Sequence, residues 1–106
     1  MWDKKTICLI DLSHKYKTMD ICNKLKSNVY IFAACVIGVA VSKGDPNICG
    51  QIPKNPEYGR PELDRWRCIK DVAIKLHDQN LCLSIDKKIY DEVFTACGQG
   101  LTGNSR

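Results

Sequence analysis

The stretch that decides the fold is CVIGVAVSKGDPNIC, residues 35 to 49, in which two cysteines enclose an apolar run and a turn signal. The same frame occurs twice more, as CLIDLSHKYKTMDIC from Cys8 and as CIKDVAIKLHDQNLC from Cys68. In each copy the second cysteine follows the first by 14 residues, and Cys97 begins a shortened fourth copy, CGQGLT. The frame starts lie 27, 33 and 29 residues apart. This spacing predicts an internal repeat of about 30 residues.

Each frame predicts a long helix followed by a short one. The residue four after the first cysteine is apolar and shares its helix face, and the next residue is small, which lets a neighbouring backbone approach. These small residues are Ser13, Ala40 and Ala73. A preferred N-cap type follows at Thr18, Asp45 and Asp78. The constant spacing therefore encloses a tight corner between two helices.

The chain of 106 residues has the size of one domain. Residues 29–41 form an apolar run that predicts the most buried helix, and residues 61–77 show the period of an amphipathic helix. Residues 53–61, with their prolines and glycine, predict a loop. We therefore expect a single all-α domain over residues 1–106, built from disulfide-stapled helical hairpin repeats. It has about six or seven helices, long alternating with short. The repeated frames are 8–25, 35–52 and 68–85, with a truncated fourth from 97.

Seven cysteines leave one unpaired in any scheme of disulfides within one chain. Pairing within frames joins residues 8 to 22, 35 to 49 and 68 to 82, and leaves Cys97 free. Around the Asp45 corner this places paired cysteines at unequal distances from the turn, an offset of about 9 Å along the helices. Pairing between frames leaves Cys8 free and joins Cys22 to Cys35, Cys49 to Cys68 and Cys82 to Cys97. We favour the second scheme, although it fits less well for its last pair, and the first stays open.

The corner segments DPNIC and DQNLC, together with CIKDVA, resemble cysteine-rich helical repeats of uncharacterised archaeal and bacterial extracellular proteins. The resemblance runs from Cys8 to Cys97 and implies a secreted or surface-attached helical module. It carries over no functional residues. The cysteine content also favours an oxidising compartment. Because the chain begins MWDKKTIC, without the pattern of a secretory signal, another such compartment, the mitochondrial intermembrane space, is the alternative location.

The motifs of common catalytic and metal sites are missing from the sequence. The closest cysteines are 13 residues apart, whereas zinc sites use spacings of two to four, and there is no phosphate loop or serine elbow. We expect no catalytic residue, metal or cofactor. The net charge is +4, but no basic run or aromatic stripe indicates a nucleic-acid partner. The 13-residue apolar run is too short to span a membrane.

These observations favour a non-catalytic extracellular module that acts in protein–protein interaction or as a structural subunit of a larger assembly. Its expected partner is another protein or a second copy, and the odd cysteine could make the assembly covalent. Tyr58 and Trp2 are the candidate partner-binding side chains, because aromatic residues are enriched at interfaces. The alternative is a small secreted enzyme or enzyme inhibitor that uses the 53–61 loop.

Overall fold

The computed structural model describes residues 4–54 and 62–103, and its regular elements are helices. Four are long: α1 Lys4–Tyr16, α3 Val29–Lys43, α4 Leu63–Leu76 and α6 Asp91–Gly103. Three are short: α2 Met19–Asn23, the 3₁₀ helix η1 Pro46–Gln51 and α5 Gln79–Leu83. The described residues thus form seven helices and no strand, which confirms the all-α prediction, its helix count and the alternation of long with short.

The long helices pack in chain order, α1 against α3, α3 against α4 and α4 against α6. Each short helix lies against the long helix before it and the long helix after it. Thus α2 contacts α1 and α3, η1 contacts α3 and α4, and α5 contacts α4 and α6. The described part of the chain contains no helix with both the length and the apolar character needed to cross a bilayer.

The three corners between a long and a short helix have the same backbone geometry. A residue in the left-handed region ends each long helix, with φ of 53° at Lys17, 65° at Gly44 and 54° at His77. The next backbone N–H bonds back to the carbonyl of the small residue of the frame, at 2.9 to 3.0 Å. Those carbonyl acceptors belong to Ser13, Ala40 and Ala73. This is the bonding pattern of a Schellman cap, so the corner has the same length in every frame.

The short helices start at the N-caps that the sequence predicts. The side chains of Thr18, Asp45 and Asp78 each accept a backbone N–H from the first turn of the helix that follows. Pro46 occupies the first turn of η1, where its missing N–H costs nothing. A further N-cap, Asn28, accepts the N–H groups of residues 30 and 31 at the start of α3. Local side-chain chemistry therefore fixes where these four helices begin.

The core consists of two adjoining clusters. The first surrounds α3, whose Val36 and Val39 are fully buried, and the second lies among α4, α5 and α6. Ile69 of α4 packs against both clusters. The small frame residues Ser13, Ala40 and Ala73 are all fully buried, as the prediction of close backbone approach requires.

Three disulfides join each short helix to the long helix that follows it. They link Cys22 to Cys35 and Cys49 to Cys68, both with Cα atoms 5.6 Å apart, and Cys82 to Cys97 at 5.7 Å. These are the pairs of the between-frame scheme. All six cysteines are buried, whereas Cys8 is unpaired and exposed.

Two features of the C-terminal third depend on contacts between distant residues. Tyr90 is only 3% exposed, and its hydroxyl accepts the N–H of Glu62 at 3.1 Å. The glycine-rich stretch after Cys97 continues α6 to Gly103, although glycine is a weak helix former. The reason is packing, since Gly100 lets α6 approach Ile74 of α4 closely.

Candidate interaction surface

The outer face of α1 carries the free thiol. Ile7, 46% exposed, and the exposed Cys8 lie beside each other there, and a shallow groove of about 310 Å³ runs along the helix. The groove is lined by Lys4, Ile7, Cys8, Asp11, Leu12 and Lys15. Apolar and charged side chains therefore alternate around an accessible sulfur on a helix whose opposite face packs on α3.

The position of Cys8 in its frame sets this face apart. Its counterparts Cys35, Cys68 and Cys97 begin their frames on α3, α4 and α6, and each is fully buried and bonded to the preceding short helix. Within the described residues no short helix precedes α1. In the part of the chain that the structure describes, α1 has no equivalent of the short helix that bonds to these counterparts, and Cys8 is exposed.

A second concave site, of about 300 Å³, lies between η1 and the start of α4. Trp66 and Ile69 form its apolar side, and Glu62 and Arg65 its charged side. Arg65 pairs with Glu62 at 3.7 Å and donates through Nε to the carbonyl of Ile52. Lys54 lies 3.6 Å from the same Glu62 carboxylate. These polar groups are occupied in holding the two ends of the 53–61 loop together.

The two histidines are in different environments. His77 ends α4 and borders a cavity of about 380 Å³ between α5 and α6, together with Gln79 and the apolar side chains of Leu83 and Phe94. His14 lies between α1 and α3, where a Cβ at position 38 would overlap its ring, and its buried Nε2 has no hydrogen-bond partner. Neither this cavity nor the concave site between η1 and α4 is lined by both a histidine and a carboxylate.

The described residues contain no group of three or more His, Cys, Asp or Glu side chains arranged to hold a metal ion. Tyr58 and Trp2, the aromatic candidates for partner binding, lie outside residues 4–54 and 62–103, as does most of the 53–61 loop. The enzyme or inhibitor alternative that depends on this loop therefore stays a prediction. Sequence reasoning named Cys8 as unpaired but missed the apolar groove beside it, whose signal is the spacing of Ile7, Cys8 and Leu12 on one helix face.

Comparison with known proteins finds no matching family model, no matching curated protein and no matching solved structure. The resemblance to extracellular cysteine-rich repeats therefore also stays a prediction.

Proposed function

We propose that the protein is a non-catalytic helical module of an oxidising compartment, outside the cell or at its surface, that joins another protein through the outer face of α1. The observation that carries the proposal is Cys8. Among residues 4–54 and 62–103, it is an exposed thiol at a frame start without the short helix and disulfide partner that its counterparts have.

Two further observations support the proposal. Three disulfides within the described residues are compatible with an oxidising location. Exposed apolar side chains are ordinary on a protein surface when they occur singly, but Ile7 lies beside a groove that also contains Leu12 and a thiol. A contact there would bury apolar surface and bring the partner close to the Cys8 thiol. The structural role follows from this: the module adds a rigid, disulfide-stapled unit to a larger assembly.

The test is to trap thiols in a culture of the cells that produce the protein, and to run both the medium and the cell extract on a gel without reductant. N-Ethylmaleimide, added at harvest, prevents disulfides from forming or exchanging afterwards. We expect a discrete band heavier than the 12.0 kDa chain, which reductant converts to monomer. The matched control, Cys8→Ser, keeps the three structural disulfides and should run as monomer.

A single monomer band with Cys8 fully alkylated would refute the covalent interaction. A heavier band that persists in Cys8→Ser would place the contact elsewhere on the surface and would equally remove α1 as the interface.

A further inference from the structure

The three interfaces between successive frames are built to one plan. In each, the cysteine of a short helix bonds to the first cysteine of the next long helix. On the long helix, the residue four after that cysteine belongs to the packed interior. Val39 and Val72 are fully buried there, and Leu101 is half-buried against the second cluster.

A second feature recurs between neighbouring long helices. Gly38, three residues after Cys35, lies against His14 of α1, and Gly100, three residues after Cys97, lies against Ile74 of α4. His14 and Ile74 occupy the same frame position, six residues after the first cysteine. In these two interfaces, the preceding long helix packs at a glycine three residues after the cysteine that bonds to the preceding short helix; the same position is Asp71 in α4 and Asp11 in α1.

Helix α1 presents the equivalent face without an occupant among the described residues. Cys8 stands at the bonding position and Leu12 at the position of Val39 and Val72. Leu12 is half-buried and Cys8 exposed, whereas the two valines are fully buried. The groove along α1 is therefore the surface on which one more pair of a long and a short helix would pack in the same way.

We propose that this face binds a long-and-short helix unit of a partner protein whose short helix carries an unpaired cysteine, and that the contact closes a disulfide to Cys8. The inference rests on the proposed function and names its partner. A second copy of the chain does not meet the requirement, because its short-helix cysteines, Cys22, Cys49 and Cys82, are already bonded. We assign the face instead to a different protein, whose helix unit would continue the same internal interface.

The disulfide between Cys8 and the partner's cysteine forms by thiol–disulfide exchange, with glutathione disulfide as the oxidant. Attack by the Cys8 thiolate on glutathione disulfide forms a Cys8–glutathione bond and releases one reduced glutathione. Attack by the partner's thiolate on the Cys8 sulfur then forms the protein–protein disulfide and releases the second. Two thiol protons are lost and two glutathione thiols are formed.

Three synthetic peptides serve as probes on the full chain with Cys8 preloaded with glutathione. They reproduce the short helices with their caps: residues 17–26, KTMDICNKLK; residues 44–53, GDPNICGQIP; and residues 77–86, HDQNLCLSID. Each has a control of the same composition, with the cysteine fixed and the other residues permuted. Intact mass spectrometry measures the fraction of protein carrying each peptide at equilibrium with glutathione and verifies that the three internal disulfides remain.

We expect at least one peptide to form the mixed disulfide with an equilibrium constant about fivefold above that of its control, because docking adds non-covalent free energy to the same bond. Leu12→Glu, on the α1 face, should remove this preference. Leu83→Glu, a matched change at an exposed leucine of α5, should preserve it. Thermal unfolding of both variants verifies that they are folded.

Equal reaction of all peptides and controls would overturn the inference, as would a Cys8–Cys8 dimer that forms in preference to every peptide. The two proposals fail separately. A Cys8-dependent band in cells with no peptide preference removes only the helix-unit partner, whereas peptide preference without a cellular band removes only the covalent function.

Discussion

Replacing Gly38 by alanine tests whether the close approach of α1 to α3 constrains the fold. Gly38 lies within α3, and a Cβ there would overlap the imidazole ring of His14. In an open helical position the same change stabilises by about 1 kcal/mol, because alanine is the better helix former. Overpacking of a tight contact costs about 1 to 3 kcal/mol. We therefore expect Gly38→Ala to destabilise the protein by about 1 kcal/mol.

The sign should reverse when the ring is removed. The atoms that a new Cβ would meet belong to the end of the His14 ring, so His14→Ala clears the space. In that background Gly38→Ala should stabilise by about 1 kcal/mol, which gives a coupling energy of about 2 kcal/mol between the two positions. Gly98→Ala is the control, since Gly98 lies in α6 with no neighbour within 4 Å of an added Cβ, and it should stabilise in either background.

The assay is urea unfolding of the oxidised protein, followed by far-ultraviolet circular dichroism, with the free energy extrapolated to water. If Gly38→Ala stabilises the protein that retains His14 as much as Gly98→Ala does, the reasoning is refuted. The same destabilisation with and without His14 would refute it as well, because it would assign the cost to something other than the ring.

The same assay tests four other features. Asp78→Ala removes the N-cap of α5 and should cost about 1 kcal/mol; no loss would mean that the cap is solvated rather than structural. His77→Gly removes the strain of a non-glycine residue with positive φ and should stabilise the protein by about 1 kcal/mol; a loss of stability would show that contacts of the imidazole ring outweigh this strain. Tyr90→Phe removes a half-buried hydrogen bond and should cost about 1 kcal/mol, and an unchanged midpoint would contradict it. Replacing Cys49 and Cys68 together by alanine opens a loop of sequence separation 19 and should cost about 3 kcal/mol; a loss below about 1 kcal/mol would show that the unfolded chain is constrained by other means.

The sequence predicts the corners well because their chemistry is local. An aspartate that caps a helix two or three residues ahead acts within one turn, so Asp45 and Asp78 are recognisable without knowledge of the rest of the fold. The left-handed conformation of Lys17 and His77 is not evident from residue type, because neither is glycine. Their frame position, which they share with Gly44, is the signal that could have found it.

Features that depend on distant contacts were harder to predict. Tyr90 is buried because its hydroxyl reaches Glu62, 28 residues away, and its ring lies 6.3 Å from that of Trp66. The glycines of α6 argue against a helix by propensity, but the packing of Gly100 on Ile74 outweighs that preference. The α1 groove has the same origin, because the packing of α1 on α3 and α2 decides which of its faces is left outside.

The three disulfides enclose separate stretches of chain, residues 22–35, 49–68 and 82–97, and none of these stretches overlaps another. A protease that cuts once inside 50–67, which includes the 53–61 loop, leaves a two-chain molecule held by the Cys49–Cys68 bond. A cut inside 36–48 or 69–81 leaves two pieces with no covalent bond between them, so that only non-covalent packing holds them together. Those latter stretches contain the hydrogen-bonded corners at Gly44 and His77. The Cys49–Cys68 bond therefore spans the long loop, whereas the corners at Gly44 and His77 are held by backbone hydrogen bonds and by the capping side chains of Asp45 and Asp78.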